Sequence, residues 1–186
     1  MKELYLLLSE LFCNPEEVAV EDVKKKGYLL ATYLYTLGNE LSEKLLDFLT
    51  FYPPSAEEYI DLFELSPKCP LYLGAHLFEE PNTCAQAGVS DRNDYMIDLL
   101  GAYKYFGLKP DSKELPDFLP MVLEFLALTA DRKEDQVRGR CIQEYILPAL
   151  ERMRERLQEL GSYYILLFDV LAELLKLDIQ KEEVKK

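Results

Sequence analysis

The sequence predicts an all-α fold, a single-domain helical bundle, and three observations carry that prediction. Leucine, glutamate and lysine abound while threonine and valine are few, a balance that favours helix over strand. Apolar residues recur at three- and four-residue spacing along most of the chain. No stretch alternates apolar and polar residues for long enough to make a strand. At 186 residues one domain spanning 1–186 is expected. Such a chain buries roughly 70% of its unfolded surface, so its core needs no metal or disulfide staple.

The elements follow in order. Leu4, Leu7, Leu8, Leu11 and Phe12 form the apolar stripe of a first helix, which Asn14-Pro15 ends while offering a cap and a first-turn proline to the next. That second helix is expected over about 15–36, its pattern interrupted by Lys24-Lys25-Lys26-Gly27. A third, over about 40–51, carries Leu41, Leu45, Phe48 and Leu49. Ser55 with Glu58 is a capping-box signature ahead of Tyr59, Leu62 and Phe63, and Ser66-Pro67 closes that short helix. Pro70–Phe78 reads as another short helix, followed by a surface loop over Glu79–Val89. Met96, Leu99, Leu100 and Tyr103 mark the inward face of a helix over about 91–106, which Gly107 stops. After the polar link Gly107–Lys113 comes a helix over about 116–129 with Leu119, Val122, Leu123 and Leu126 on one face. A long helix over about 134–160 should kink at Pro148, which has no N–H to give to Glu144. Gly161-Ser162 separates it from a last helix over about 163–178, and the tail at about 180–186 should fray.

Charge and cysteines narrow the function classes. A formal net charge of −13 argues against nucleic acid as a partner, since phosphate binding needs clustered lysine and arginine. An acidic surface suits a basic partner, and equally suits plain solubility. The cysteines at 13, 69, 84 and 141 form no CxxC pair and read as free thiols in a reducing compartment. The start MKELYLLLSELF lacks the pattern of a signal peptide, and no run reaches the ~18 apolar residues of a membrane span. A cytoplasmic protein without stable membrane insertion is expected.

No enzyme signature is present: Gly-x-Ser-x-Gly, Walker and dinucleotide fingerprints are all missing, and carboxylate pairs such as Asp94/Asp98 arise by chance among 34 acidic residues. His76, the single histidine, cannot anchor a di-iron bundle site, and its spacing from Cys69 and Cys84 matches no zinc pattern. No cofactor or metal is expected, and His76 is expected to be hydrogen-bonded at the bundle surface, one turn from Tyr72. Arg152, Arg154 and Arg156, alternating with Glu151, Glu155 and Glu159, read as a solvated face. Arg132, Lys133, Arg138 and Arg140 form the main basic island, which reads first as a loop anchoring to acidic neighbours and second as a contact for an acidic patch.

The segment Glu114-Leu115-Pro116-Asp117-Phe118-Leu119-Pro120 is the most specific feature. Pro116 and Pro120 fit the opening turn of a helix, where N–H groups lack partners, with Asp117 placed to cap it or complement its dipole. On the residues alone the reading stops at an acidic, helical, protein-binding domain.

This motif, behind its polar link, resembles the nitrate reductase delta-subunit family, assembly chaperones of molybdenum enzymes within the wider TorD/DmsD superfamily. Tyr59–Phe63, Pro70–Phe78, Leu147–Leu150 and Gly161–Tyr164 continue the resemblance, which covers roughly 57–175. Phe118 departs from relatives that carry histidine there. The resemblance implies a non-catalytic chaperone whose partner is the catalytic subunit of a molybdoenzyme. The chaperone would bind that subunit's N-terminal or twin-arginine leader segment and hold it for molybdopterin insertion and for membrane or twin-arginine targeting. It also implies a peptide-binding region around this motif: Glu114 and Asp117 would meet a cationic residue, Leu115 and Phe118 would give apolar contact beside Pro116, and Tyr72, His76 and Tyr103 would lie alongside. The alternative is a helical scaffold or regulatory module unrelated to molybdoenzymes.

Overall fold

Helices α1 (Lys2–Phe12), α2 (Val20–Leu37) and α3 (Asn39–Phe51) lie in sequence at the start of the chain, α2 packing on both α1 and α3. The structure, a computed structural model, describes residues 1–79, 90–110 and 114–179. Next come α4 (Ala56–Phe63), a single turn α5 (Gly74–Leu77), α6 (Asp91–Tyr105) and α7 (Leu119–Leu128). Helix α8 (Gln136–Arg140) runs through a π turn (Cys141–Ile146) into α9 (Leu147–Glu159), and α10 (Ile165–Ile179) follows. Among the described residues the only β pairing is an isolated antiparallel bridge between Tyr72 and Phe118, so the fold is all-α. Cys84, most of the expected loop Glu79–Val89, the end of the polar link and the tail at 180–186 lie outside the described residues.

The core is continuous, and aromatic rings join its elements. Tyr164, at the entry to α10, meets Phe48 of α3, Phe63 of α4 and Phe12 of α1 at centroid distances of 5.2, 4.8 and 6.1 Å. Phe12 also meets Phe168 edge-on at 5.2 Å. Such pairs add about 0.5–1.5 kcal/mol each beyond area burial, which fixes how four helices meet at one point. The expected capping box of α4 is formed: Ser55 and Glu58 each satisfy the other's backbone N–H.

Several boundaries differ from expectation, each for a local reason. The second helix begins at Val20 rather than near 15, because Asn14 Oδ1 accepts the Glu16 N–H at 3.0 Å and closes a side-chain turn instead of capping a helix. Most of Pro70–Phe78 is not helical. Leu73 N–H donates to the Asp117 carbonyl at 3.0 Å and Leu119 N–H to the Leu71 carbonyl at 2.8 Å, committing to a bridge the groups that a helix would use. The helix expected from 116 starts at Leu119 for the same reason. On α6 the inward face is Tyr95, Leu99, Ala102 and Tyr103, whereas Leu100 is 44% exposed. Tyr95 sets this rotation by packing on Phe78 and Tyr145 at 5.3 and 5.2 Å. The long helix starts at Gln136, where Asp135 accepts the Val137 N–H at 2.8 Å, and the distortion expected at Pro148 appears just before it as the π turn. Gly107 stops α6 with φ +74°, as its position predicts.

The arginines of α9 are tethers as well as surface charges. Arg152 donates to the His76 carbonyl at 2.7 Å and Arg156 to the Lys68 carbonyl at 3.1 Å, pinning the segment from Lys68 to His76 onto α9. Arg154 shares Asp169 with Lys44, joining α9, α10 and α3. In the basic island, Arg138 is fully buried. It pairs with Asp178 at 2.6 Å, and donates to Thr129 Oγ1 at 3.0 Å and to the Leu126 carbonyl at 3.2 Å. Tyr5 donates to the same Asp178 oxygen at 2.7 Å, so the first and last helices close on one buried network.

Candidate functional site

The segment ahead of α7 is held from three directions. Tyr103 of α6 donates its hydroxyl to the Pro116 carbonyl at 2.7 Å, and its burial pushes its own pKa well up. The Tyr72 ring lies 5.4 Å from Phe118 across the bridge, and its hydroxyl donates to the Glu114 carboxylate. Burial and that carboxylate push the Tyr72 phenol up to about 12, so it stays a donor. Asp117 is 0% exposed, and its Oδ2 accepts the Gly74 N–H at 2.8 Å. It therefore caps α5, not α7, whose N-cap Phe118 has no side-chain cap. Burial raises the Asp117 pKa, opposed by the Gly74 amide and the Arg92 guanidinium.

Behind this segment opens a cavity of about 440 Å³. Its walls are Phe118, Met121, Phe125 and Leu128 along α7, Tyr103 and Leu108 at the end of α6, and Cys13 beyond α1. Glu114 and Glu124 bring carboxylates to it, and Lys109 brings an ammonium. Ser9 of α1 donates to the Pro120 carbonyl at 3.0 Å, which fixes the near end of the α7 wall. Burial, with Glu124 next, pushes the Cys13 thiol up to about 11, so it is a neutral wall and not a thiolate nucleophile. An apolar hollow edged by two glutamates and one lysine suits an amphipathic ligand.

The structure brings together only part of the predicted set. Tyr103, Glu114 and Phe118 line the cavity, and Tyr72 supports Phe118 and Glu114. Pro116 and Asp117 hold the segment through their carbonyls and the buried carboxylate. Leu115 is 48% exposed and does not line the cavity. His76 stands apart from it. Its Nε2 lies 2.8 Å from the Pro70 carbonyl, so that nitrogen carries the proton, and burial followed by the Arg152 charge lowers its pKa. Sequence reasoning missed Glu124, Met121, Phe125 and Leu128. Glu124 left a signal, as the single charged residue of α7.

Among the described residues, no group of three or more histidine, cysteine or acidic side chains is arranged to hold a metal. Among the same residues, no helix is long and apolar enough to cross a membrane.

Comparison with known proteins places the chain. The family model described as nitrate reductase delta subunit matches residues 53–178. The chain is 35% identical over 141 residues to the nitrate reductase molybdenum cofactor assembly chaperone NarJ of Escherichia coli (strain K12), a match taking in 75% of this chain and 54% of that protein. It is 28% identical over 177 residues to a probable chaperone of the same description, NarW, from the same strain, covering 95% and 67%. A probable NarJ of Bacillus subtilis (strain 168) is 30% identical over 142 residues, covering 73% and 70%. The chain thus spans about half the length of the E. coli NarJ it matches. These relatives are named as assembly chaperones, not as catalysts. With a family match over more than half its residues, the chain belongs to the nitrate reductase delta-subunit family.

Proposed function

We propose that this protein is a non-catalytic cytoplasmic assembly chaperone for a nitrate reductase-type molybdoenzyme, acting without a resident cofactor. It binds the N-terminal or leader segment of the catalytic subunit, including a twin-arginine leader where the client has one. It keeps that segment engaged until molybdopterin is inserted and the enzyme goes to the membrane or the export route. The observation that carries the reading is the cavity beside the ELPDFLP segment, with Phe118, Met121 and Phe125 for an apolar face and Glu114 and Glu124 for a basic end. Apolar burial supplies most of the affinity, at roughly 25 cal/mol per Å² before ordering costs. The carboxylates orient the segment and speed encounter. The family and the names of the relatives support the choice of client.

Calorimetry with the N-terminal peptide of the nitrate reductase catalytic subunit from the same genome tests this. Binding with a negative heat-capacity change and moderate weakening by salt is expected. Leu128→Asp, on an exposed residue of the cavity wall, should weaken it at least about tenfold with the helical spectrum retained. Absence of binding at micromolar peptide would overturn the reading and favour a scaffold unrelated to molybdoenzymes.

A further inference from the structure

The cavity beside Phe118 has a neighbour across α1. Glu124 lines both that cavity and a second hollow of about 360 Å³ between α1 and α2, so the two share one wall. Helix α1 joins them. It is buried over most of its circumference, and past Lys2 only Glu3, Leu6 and Glu10 reach the surface. These three line the second hollow, and Cys13 carries the same stripe on into the first. Leu29 and Leu30 of α2 form the far wall. From Glu3 to Cys13 the stripe is about 15 Å long at the helical rise, enough to lead a bound segment from one hollow into the next.

Charge along this path is uneven. Lys109, which follows α6, brings an ammonium to the side of the first cavity away from α1. Glu124 lies where the two hollows meet, and Glu3 lies beyond it at the start of α1. Glu10 is already taken: both its oxygens hold the Lys26 ammonium, at 2.6 and 2.9 Å, a contact that ties α2 to α1. Glu3 and Glu124 have no ion-pair partner among the described residues. Between them stand Leu6 and Leu29, Leu29 being 67% exposed. The second hollow is therefore an apolar seat with an uncompensated carboxylate at each end, in a chain whose net charge is −13.

We infer that the client segment continues past Glu124 over α1, and that its basic end lies in the hollow between α1 and α2, with Glu124 and Glu3 as its counter-charges. This rests on the leader-binding reading above and adds to it a second seat and a direction. Lysine and arginine suit the seat because each has an aliphatic stem to lay on Leu6 and Leu29 and a charged head to reach the carboxylates. A wholly apolar end would leave both carboxylates unpaired beside it, which costs affinity. The reverse orientation would set the basic end at Lys109, like charge against like. Apolar contact along the α7 wall then anchors the segment, and the second seat decides which way it lies.

The test is calorimetry on the full chain with two peptides: the N-terminal peptide of the nitrate reductase catalytic subunit from the same genome, and a copy whose lysines and arginines are all glutamine. Glu3→Lys should weaken the native peptide at least about tenfold and the neutral copy less than about twofold, with circular dichroism unchanged. Leu29→Lys, on a second exposed site, should weaken the native peptide at least about tenfold. Asp47→Lys makes the same charge change as Glu3→Lys on the exposed side of α3, and should weaken it less than about threefold. If Glu3→Lys and Leu29→Lys leave native-peptide affinity unchanged while Leu128→Asp still lowers it, the second seat is overturned and the first cavity stands as the site. Equal weakening of both peptides by Glu3→Lys would overturn the direction. A native peptide that does not bind the unaltered chain would overturn the leader-binding reading and this inference with it.

Discussion

Asp117 Oδ2 accepts the backbone N–H of Gly74 at 2.8 Å, across 43 positions of sequence. This bond, with the Tyr72–Phe118 bridge beside it, fuses the turn α5 to the entry of α7. The cavity-facing side of Phe118 is thereby set from across the bridge.

Gly74 has no room for a side chain. A Cβ there would stand 2.8 Å from Asp117 Oδ2 and 3.2 Å from Tyr95 Cε1. Gly74→Ala should therefore cost about 1–3 kcal/mol in urea denaturation. It should also weaken client peptide binding, because the bridge carrying Phe118 has to shift.

Burial raises the Asp117 pKa in the folded state, so the folded protein holds this proton more tightly than the unfolded chain does. Its contribution to stability is present below the unfolded value and is lost as pH rises through the folded one. Asp117→Asn keeps an oxygen for the Gly74 amide and cannot ionise. The stability of Asp117→Asn relative to the native protein should therefore increase from about pH 4 toward neutrality, read by urea melts across that range. A difference independent of pH would mean that Asp117 does not titrate as its burial requires.

His76 has the opposite sign. Its pKa is lowered in the folded state, so the unfolded chain binds the proton more readily. Stability is full above the unfolded value of 6.5 and falls as pH drops through that value toward the folded one. His76→Gln retains a donor for the Pro70 carbonyl and should lose less stability than the native protein between about pH 7 and 5.

Arg138 and Asp178 are both fully shielded from solvent. Arg138→Ala should cost about 3–5 kcal/mol, since it leaves a carboxylate buried with only Tyr5 as a donor. Replacing both, as Arg138→Met with Asp178→Leu, should recover much of that loss, because a buried pair offsets little more than its own desolvation. Thermal melts of the two singles and the double give the coupling directly.

Helix existence was legible where the apolar period was strong and the cap was local. The stripe of α1, the Ser55–Glu58 box and the Gly107 stop all depend on residues within one or two turns of each other. What escaped depends on distant partners. Nothing near Tyr72 announces that Leu71 and Leu73 will pair with Leu119 and Asp117, so an irregular segment read as helix. That Arg138 would anchor to an acidic group was legible, but not that Asp178 and Thr129 would close around it in the core. The cavity was legible in part. Phe118 and Glu114 stood out by motif, while Met121, Phe125 and Leu128 look like any other leucine-rich helix until α1 and α6 are in place around them.

The π turn at Cys141–Ile146 sets a rotational phase. The buried positions Arg138, Ile142, Ile146, Leu150, Met153 and Leu157 advance by about 3.8 residues per turn, more than the 3.6 of a regular helix. An uninterrupted α-helix would carry Arg138 about 100° out of line with Leu157. The one extra residue in the wide turn absorbs that drift, keeping the arginine aimed at Asp178 while Met153 and Leu157 stay in the core. Tightening this turn to a regular helix at the same length would swing the guanidinium about 100° away from its carboxylate. Deleting one residue along with the wide turn would instead keep Arg138 in phase with Leu157.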